Sequence, residues 1–385
     1  MRIVLSPSNV VNYPQGGGHF WVYLQYLDGL RRLGADVWWL EQFVPSGDES
    51  EDRARIVALT ERLRKYGAAD RLILYTGPDE FVNVYAAHAH RVFADADLLL
   101  NFHQRIAGWL LARFRRTALV DIDPGLLQYW MTSGLLTVAR HDLYFTTGET
   151  VGKPHAKFPD CGLPWIQIRP PVSLDLWPVV PPPEDGAYTT VSNWWGHEWV
   201  VDDEGIHDNN KRRAFLRFAR LPARTRVPLE LALLLDPHSA ADRKDGEHLR
   251  ERGWRVRHAH EVAGSPADYQ QYIQQSRGEF SCAKWSCMKF ENAWISDRTL
   301  CYLATGRPAV VADTGPSELL PRDRGLFRFT TVDEAAAALE AVQANYAVHA
   351  KAARELAEIF DARRVAETIL SRCSSAAPSA VGHAS

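Results

Sequence analysis

Three consecutive glycines and a histidine, Gly16-Gly17-Gly18-His19, stand between an apolar run and a helical stretch near the start of the chain. Glycines let the backbone approach a ligand closely, and the N–H groups at a helix start attract phosphate or another anion, which makes Gly17 and Gly18 binding candidates. At such a position the helix dipole favours the neutral imidazole, so His19 is a candidate to accept a proton near pH 7. A tight turn needing positive φ is the plain alternative. The loop is not a dinucleotide fingerprint: Gly-x-Gly-x-x-Gly counted from Gly16 requires glycine at 21 and finds Trp21.

Two other polar residues follow apolar runs in the first half. His103 comes after Leu98-Leu99-Leu100-Asn101-Phe102, and Asp123 lies in Asp121-Ile122-Asp123-Pro124-Gly125. A histidine can deprotonate a hydroxyl, and a carboxylate can orient it. For each, turn formation or buried hydrogen bonding is the alternative. Asp121-x-Asp123 has the letters of a metal clamp, but Pro124-Gly125 favours a turn.

In the second half, Asp208-Asn209-Asn210-Lys211-Arg212 precedes a helix expected to run to about Arg220. Cations at a helix start oppose its dipole, which makes sense if an anion sits between Lys211 and Arg212. Further on, the run Pro308 to Ala312 delivers Asp313-Thr314-Gly315 to the expected start of another helix, where Thr314 and Gly315 can give hydroxyl and backbone donors to a phosphate. The aromatic run Ser192-Asn193-Trp194-Trp195-Gly196-His197-Glu198-Trp199 suits the apolar faces of sugars or bases, with core packing as the alternative.

These residues need elements to hold them. Ile3–Leu5, Val37–Leu40, Leu72–Tyr75, Leu98–Phe102, Ala118–Val120 and Leu143–Thr146 read as buried strands, alternating with helical spacing such as Phe20, Leu24, Leu27 and Leu30 before Gly34. Continuous apolar runs suit a parallel sheet covered on both faces. Six prolines between Arg169 and Pro183 mark a stiff connection. The pattern then restarts with strands at 188–192, 229–235, 255–257, 279–281 and 308–312, a helix over 297–305, and two closing helical stretches. The expected organisation is α/β throughout: a Rossmann-like doubly wound domain over 1–168, a linker over 169–186, a second such domain over 187–360, a closing helix over 361–373 and a disordered tail over 374–385.

Composition narrows the function. The 385 residues are 46% hydrophobic and 24% charged, ordinary for a globular chain, and 44 Lys plus Arg against 47 Asp plus Glu leave a net charge of -3. No global field attracts a polyanion, so no nucleic-acid partner is expected. The opening Met1-Arg2-Ile3-Val4-Leu5-Ser6-Pro7 lacks the regions of a signal peptide, and no apolar run nears the ~20 residues of a membrane span, so a cytoplasmic location is expected. Five cysteines without a Cys-x-x-Cys pair predict reduced thiols and no structural metal.

Ala304-x-Gly306-x-Pro308-x-Val310-Val311, followed by Thr314-Gly315 and Glu318, resembles the nucleotide-sugar signature of GT-B glycosyltransferases, nearest the retaining family four group. The Lys211-led helix is similar to one in that family's second domain, and the glycine loop before His19 matches its first-domain phosphate loop in position. The resemblance covers nearly the whole chain. It implies two Rossmann-like domains facing across a cleft with C-terminal helices crossing back. It also implies a donor diphosphate held by Lys211, Thr314 and Gly315, and an acceptor on the first domain. The family's paired glutamates, eight positions apart, fall at Ala293 and Cys301. Sugar, ribose or phosphate contacts are therefore expected from Glu291, Ser296, Asp297 and Arg298.

The expected activity is a metal-independent glycosyltransferase without a resident cofactor. It moves a sugar from a UDP-, dTDP- or GDP-linked donor to a hydroxyl of a small molecule, glycan or lipid. A sugar-nucleotide epimerase, a noncatalytic sugar-nucleotide-binding protein and, more distantly, NAD chemistry using Glu41 as a ribose-binding acid are the competing readings.

Overall fold

The computed structural model describes residues 1–196, 199–202 and 205–375. The apolar runs of the first half form one eight-stranded sheet: β1 (Arg2–Ser6), β2 (Asp36–Gln42), β3 (Leu72–Gly77), β4 (Glu80–Phe81), β5 (Leu98–Asn101), β6 (Thr117–Asp121), β7 (Leu143–Thr146) and β8 (Trp165–Gln167). Their spatial order is β4-β3-β2-β1-β5-β6-β7-β8, and all neighbours are parallel except β3 and β4. Both faces are covered, which is why Ile3, Val4 and Leu5 are all fully buried. Val4, Trp38, Ile73 and Leu99 pack with Val92 and Phe93 in one core, and the helix Gly17–Arg32 buries Phe20, Leu24, Leu27 and Leu30. Gly34, at φ +78°, ends that turn in a conformation that costs other residues more.

The second half builds a seven-stranded sheet from β9 (Tyr188–Asn193), β12 (Leu229–Leu234), β13 (Arg255–His258), β14 (Gly278–Ser281), β15 (Ala309–Ala312), β16 (Asp323–Arg324) and β17 (Leu326–Phe329). Between β9 and β12 lies a separate antiparallel hairpin, β10 (Trp199–Asp202) and β11 (Gly205–Asp208). The sheet order is β13-β12-β9-β14-β15-β17-β16, parallel except for β16. Among the described residues, three helices rather than two follow β17: Val332–Ala344, Tyr346–Glu358 and Ala362–Ser375.

The chain divides into two compact units. Among the described residues, the first comprises Met1–Gly152, Phe158–Pro171 and 362–375; the second comprises Lys153–Lys157 and Val172–Asp361. The last helix packs on helix Gly17–Arg32, and Gly29 makes room for it, since a Cβ there would lie 2.3 Å from the Ala362 carbonyl oxygen. The expected tail at 374–385 yields its first two residues to this helix, and the rest lies outside the described residues. From Val172 onward the proline-rich connection belongs to the second unit and is fixed there. Arg307, 1% exposed, donates to the carbonyls of Val180 at 2.9 Å, Pro181 at 3.1 Å and Gln274 at 2.7 Å, and Arg277 donates to Pro183 at 3.1 Å.

One expected element is absent. No helix follows Gly315; the chain continues irregularly to β16. Gly315 sits at φ +118° before Pro316, and its carbonyl accepts from Arg328 at 2.7 Å, so the backbone is committed to the sheet side. Among the described residues, no helix is long and apolar enough to cross a membrane, and no group of three or more His, Cys, Asp or Glu is placed to hold a metal ion. All five cysteines are free.

Candidate functional site

Each sheet has one point where the chain reverses its direction of growth: between β1 and β5 in the first unit, and between β9 and β14 in the second. In open α/β sheets the crevice outside the carboxyl ends of the strands at such a point binds ligands. The first turn of the helix after β1 carries His19, the loop after β5 carries His103, and neighbouring β6 leads to Asp123. The chain after β9 leads to Lys211, and the loops after β14 and β15 carry Glu291 and Thr314. The candidates therefore follow the carboxyl ends of their strands, yet their side chains serve different ends.

In the first unit, His19 Nε2 lies 2.6 Å from the Ser8 carbonyl oxygen. A carbonyl only accepts, so Nε2 carries a proton and donates it to Ser8, whose carbonyl also accepts from the Tyr23 hydroxyl at 3.4 Å. The Tyr23 ring stands edge-on to His19 at 5.3 Å between centroids and meets Phe102 at the same distance, joining the helix to the β5 loop. None of Gly16, Gly17 or Gly18 has positive φ. The plain reading of a positive-φ turn is thus corrected. Gly16 is needed because a Cβ there would meet the Tyr13 ring at 2.4 Å, while Gly17 is buried in the first turn.

His103 is positioned by Asn101, whose side chain accepts from the His103 N–H at 2.9 Å and donates to its carbonyl at 3.0 Å. The same Asn101 amide lies 3.1 Å from Nε2 of buried His141, whose Nδ1–H donates to the Ala139 carbonyl at 2.7 Å. Burial, with the Arg105 charge, lowers the His103 pKa, so its imidazole is held neutral. Asp123 is half-buried, and its N–H donates to Asp121 Oδ1 at 3.0 Å. Asp121 is fully buried and also accepts from Gln128 at 2.8 Å and Thr146 at 2.9 Å. Burial pushes its pKa up to about 7 against these hydrogen bonds. Asp121 organises the turn that presents Asp123, and its oxygens are occupied by protein donors.

Glu41, at the end of β2, is likewise engaged. Its carboxylate accepts from the Val10 N–H, from the Val11 N–H at 2.9 Å and from Trp39 Nε1 at 2.9 Å. Burial raises its pKa to about 7, opposed by those donors. A ribose-binding role is corrected: the side chain is 1% exposed and tied to the loop before His19.

In the second unit, Lys211 immediately precedes the short helix Arg212–Arg217. Its side chain is 9% exposed, has no hydrogen bond or ion pair among the described residues, and places Nζ 5.7 Å from the Trp294 ring centroid. Burial, then the charges of Arg298 and Lys284, lower its pKa to about 7. Next to it in the chain, the buried Asn210 Oδ1 also lacks a partner among the described residues. A weakly compensated buried cation among like charges is costly unless an anion joins it.

The other candidates are occupied. Arg212 grips Asp245 with two nitrogens, at 2.5 and 3.0 Å, and lies 4.8 Å from the Trp195 ring centroid. Trp194 is fully buried and donates to Asp245 at 2.9 Å, so this indole is core; Trp195 and Trp199 are exposed, and His197 and Glu198 lie outside the described residues. Arg298 points inward, to Glu279 at 2.8 Å, the Val191 carbonyl at 2.8 Å and Ser281 at 2.5 Å. Each of its three guanidinium nitrogens thus donates once to the protein, and its charge acts on Lys211 from a distance. Ser296 caps helix Asp297–Ala304 by accepting from the Arg298 N–H, which leaves Asp297 in the first turn.

Thr314 donates its hydroxyl to the Trp294 carbonyl at 2.7 Å, and the Gly315 N–H donates to Asp313 at 3.2 Å. The expected pair of free phosphate donors at a helix start is corrected on both counts. These bonds instead pack the 313–315 loop on the 291–294 loop, where Glu291 and Ala293 adopt φ of +45° and +55°. Gly315 is required there, since a Cβ would lie 2.7 Å from the Glu291 carbonyl oxygen. Glu291 pairs with Lys157 at 2.5 Å.

No family model matches the chain, and no curated protein matches it in sequence. Solved structures do. An alpha-glucosyltransferase in complex with UDP is 12% identical at TM-score 0.59, covering 97% of this chain and 100% of its own. Anabaena Alr3699/HepE in complex with UDP-glucose is 13% identical at TM-score 0.56, covering 98% and 100%. A sucrose-phosphate synthase from Thermosynechococcus elongatus is 12% identical at TM-score 0.54, covering 97% and 98%. At such identities the likeness speaks for architecture, and over almost its full length this chain has the α/β fold of GT-B glycosyltransferase structures.

Proposed function

We propose that the protein is a glycosyltransferase that moves a sugar from a nucleoside diphosphate sugar to a hydroxyl-bearing acceptor. The single observation that carries this reading is Lys211: a buried cation beside Lys284 and Arg298, without a hydrogen-bonding partner among the described residues, at the switch point of the second sheet. A diphosphate supplies the missing countercharge. As the glycosidic bond breaks, negative charge accumulates on that leaving group, and a preorganised ammonium in a poorly solvated site stabilises it. The UDP and UDP-glucose bound by the structural neighbours support a donor of the same chemical kind.

The first unit carries His19 as the candidate base for the acceptor hydroxyl, with Asp123 and His103 on adjacent strand ends. The reaction is proposed to need no metal, since Asp121 is occupied by Gln128 and Thr146 and leaves Asp121-x-Asp123 no clamp. If the reaction inverts the anomeric configuration, His19 or Asp123 deprotonates the acceptor; if it retains it, the leaving phosphate itself serves as base. A thermal-shift series with UDP-, dTDP- and GDP-sugars tests the donor assignment, because a ligand that binds only the folded state raises its apparent stability. At least one donor raises the transition temperature of the wild type, and much less that of Lys211→Ala; no shift with any of them contradicts the reading.

A further inference from the structure

We infer that Asn210 reads the donor beside Lys211: its side-chain amide oxygen accepts a hydrogen bond from a hydroxyl of the bound nucleoside diphosphate sugar. The inference rests on the proposed donor site at Lys211 and adds to it a contact that phosphate cannot make. The segment carrying both residues is held by the loops that follow the two switch-point strands. On the β14 side, Asn209 Oδ1 accepts the Ser286 N–H at 3.0 Å, at the start of helix Trp285–Phe290. On the β9 side the chain passes close to it at Gly196, where a Cβ would lie 3.3 Å from the Asn209 carbonyl oxygen and 3.7 Å from Asn210 Cβ. Asn210 and Lys211 therefore stand where an open α/β sheet binds its ligand.

The residues on either side are engaged within the protein, Asn209 with Ser286 and Arg212 with Asp245. Asn210 is 6% exposed, and its Oδ1 is buried without a hydrogen bond among the described residues. A buried acceptor left unmade costs stability, so its presence here calls for a partner that comes with the ligand. The two side chains ask for opposite things. Lys211 Nζ offers hydrogens and positive charge, whereas Asn210 Oδ1 offers only lone pairs. The phosphate oxygens of a nucleoside diphosphate sugar carry no hydrogen and are repelled by that amide oxygen, and a metal cation is repelled by Lys211, Lys284 and Arg298. A hydroxyl attached close to an anionic phosphate satisfies both groups at once. Both the ribose and the transferred sugar of the donor supply one.

The test uses the full chain, in wild type, in Asn210→Leu, which keeps the side chain's shape and removes its oxygen, and in the smaller Asn210→Ala. Without ligand, at least one variant is expected to unfold at the wild-type temperature or above it, because no bond of the oxygen is lost. A fall of several degrees in both overturns the inference, since the oxygen then serves the fold. Titration calorimetry next compares UDP, dTDP and GDP with their glucose conjugates and with their 2′,3′-dideoxy forms. Both variants are expected to weaken the glucose conjugates by roughly 5- to 50-fold, the loss of one hydrogen bond to a buried partner. A loss confined to the conjugates assigns the contact to the transferred sugar. One already present in the diphosphates but absent from their dideoxy forms assigns it to the ribose. Equal loss in the dideoxy forms puts the amide on the phosphate or base and overturns the inference. Unchanged affinities in both variants, with wild-type binding weakened by Lys211→Ala, overturn it and leave the donor site standing. Wild-type protein that binds none of these ligands overturns the donor reading and this inference with it.

Discussion

His19 donates its Nε2–H to the Ser8 carbonyl across 2.6 Å, and the Tyr23 hydroxyl donates to the same carbonyl at 3.4 Å. Replacing His19 by Ala should lower the single-turnover rate by roughly 10²–10⁴-fold if the ring is the general base, with donor affinity unchanged. His19→Asn can position a hydroxyl but cannot take its proton, so it should be nearly as slow. Rapid-quench measurement checks both, and rates within about threefold of wild type for the two variants would remove His19 from the reaction.

Lys211 gives a prediction in affinity and in pH. Lys211→Ala should weaken nucleoside diphosphate binding by about 1.5–3 kcal/mol, the scale of a charge-assisted hydrogen bond, as read by titration calorimetry. In the free protein its pKa is lowered to about 7 by burial and by Arg298 and Lys284. An arriving diphosphate favours the ammonium, so binding at pH 8 should take up protons. Affinity should decline as pH rises above 7. Calorimetry in buffers of different ionisation enthalpy measures the uptake, and Lys211→Ala should abolish it.

Arg298 separates structure from ligand binding. Its ion pair with Glu279 is buried, the two side chains being 8% and 0% exposed. Removing one partner leaves an uncompensated buried charge, so Arg298→Ala should cost about 3–5 kcal/mol in urea unfolding. An unchanged unfolding midpoint together with lost donor binding would show that the guanidinium serves the ligand rather than the fold.

Asp121 predicts a pH dependence of stability. Its folded pKa is raised to about 7, above the ordinary carboxyl value, because it is buried. The folded protein therefore binds this proton more tightly than the unfolded chain. The resulting stabilisation is complete below about pH 4 and is lost as pH rises through 7. Asp121→Asn should flatten that part of the stability profile between pH 4 and 8, a change visible in denaturant titrations; a profile with the wild-type slope would contradict the assignment.

Much of the framework is legible in the sequence because strands buried on both faces must be continuous apolar runs, and Leu143–Thr146 is a strand with the expected ends. The loops carrying His19, His103, Asp123 and Lys211 follow from that. What is not legible is the direction in which polar side chains turn. Arg298 looks like a phosphate ligand until β14 places Glu279, nineteen residues away, against it. Thr314 and Gly315 look like free donors, but their partners Trp294 and Asp313 depend on how two loops interlock. Glu41 left a signal: a carboxylate extending the buried run Val37–Leu40 needs donors, and the structure supplies them from Val10, Val11 and Trp39. Asn101 at the end of β5 left a similar one.

The most direct test of sugar transfer is release of nucleoside diphosphate from UDP-, dTDP- and GDP-glucose, followed with and without a panel of hydroxyl acceptors and with EDTA present throughout. The account predicts slow release alone, a strong increase with one acceptor class, stoichiometric glycosylated product, and loss of that increase in Lys211→Ala. Interconversion of the donor sugar without any acceptor, binding of a donor with no turnover under any acceptor, or turnover that appears only when Mg²⁺ or Mn²⁺ replaces EDTA would contradict it.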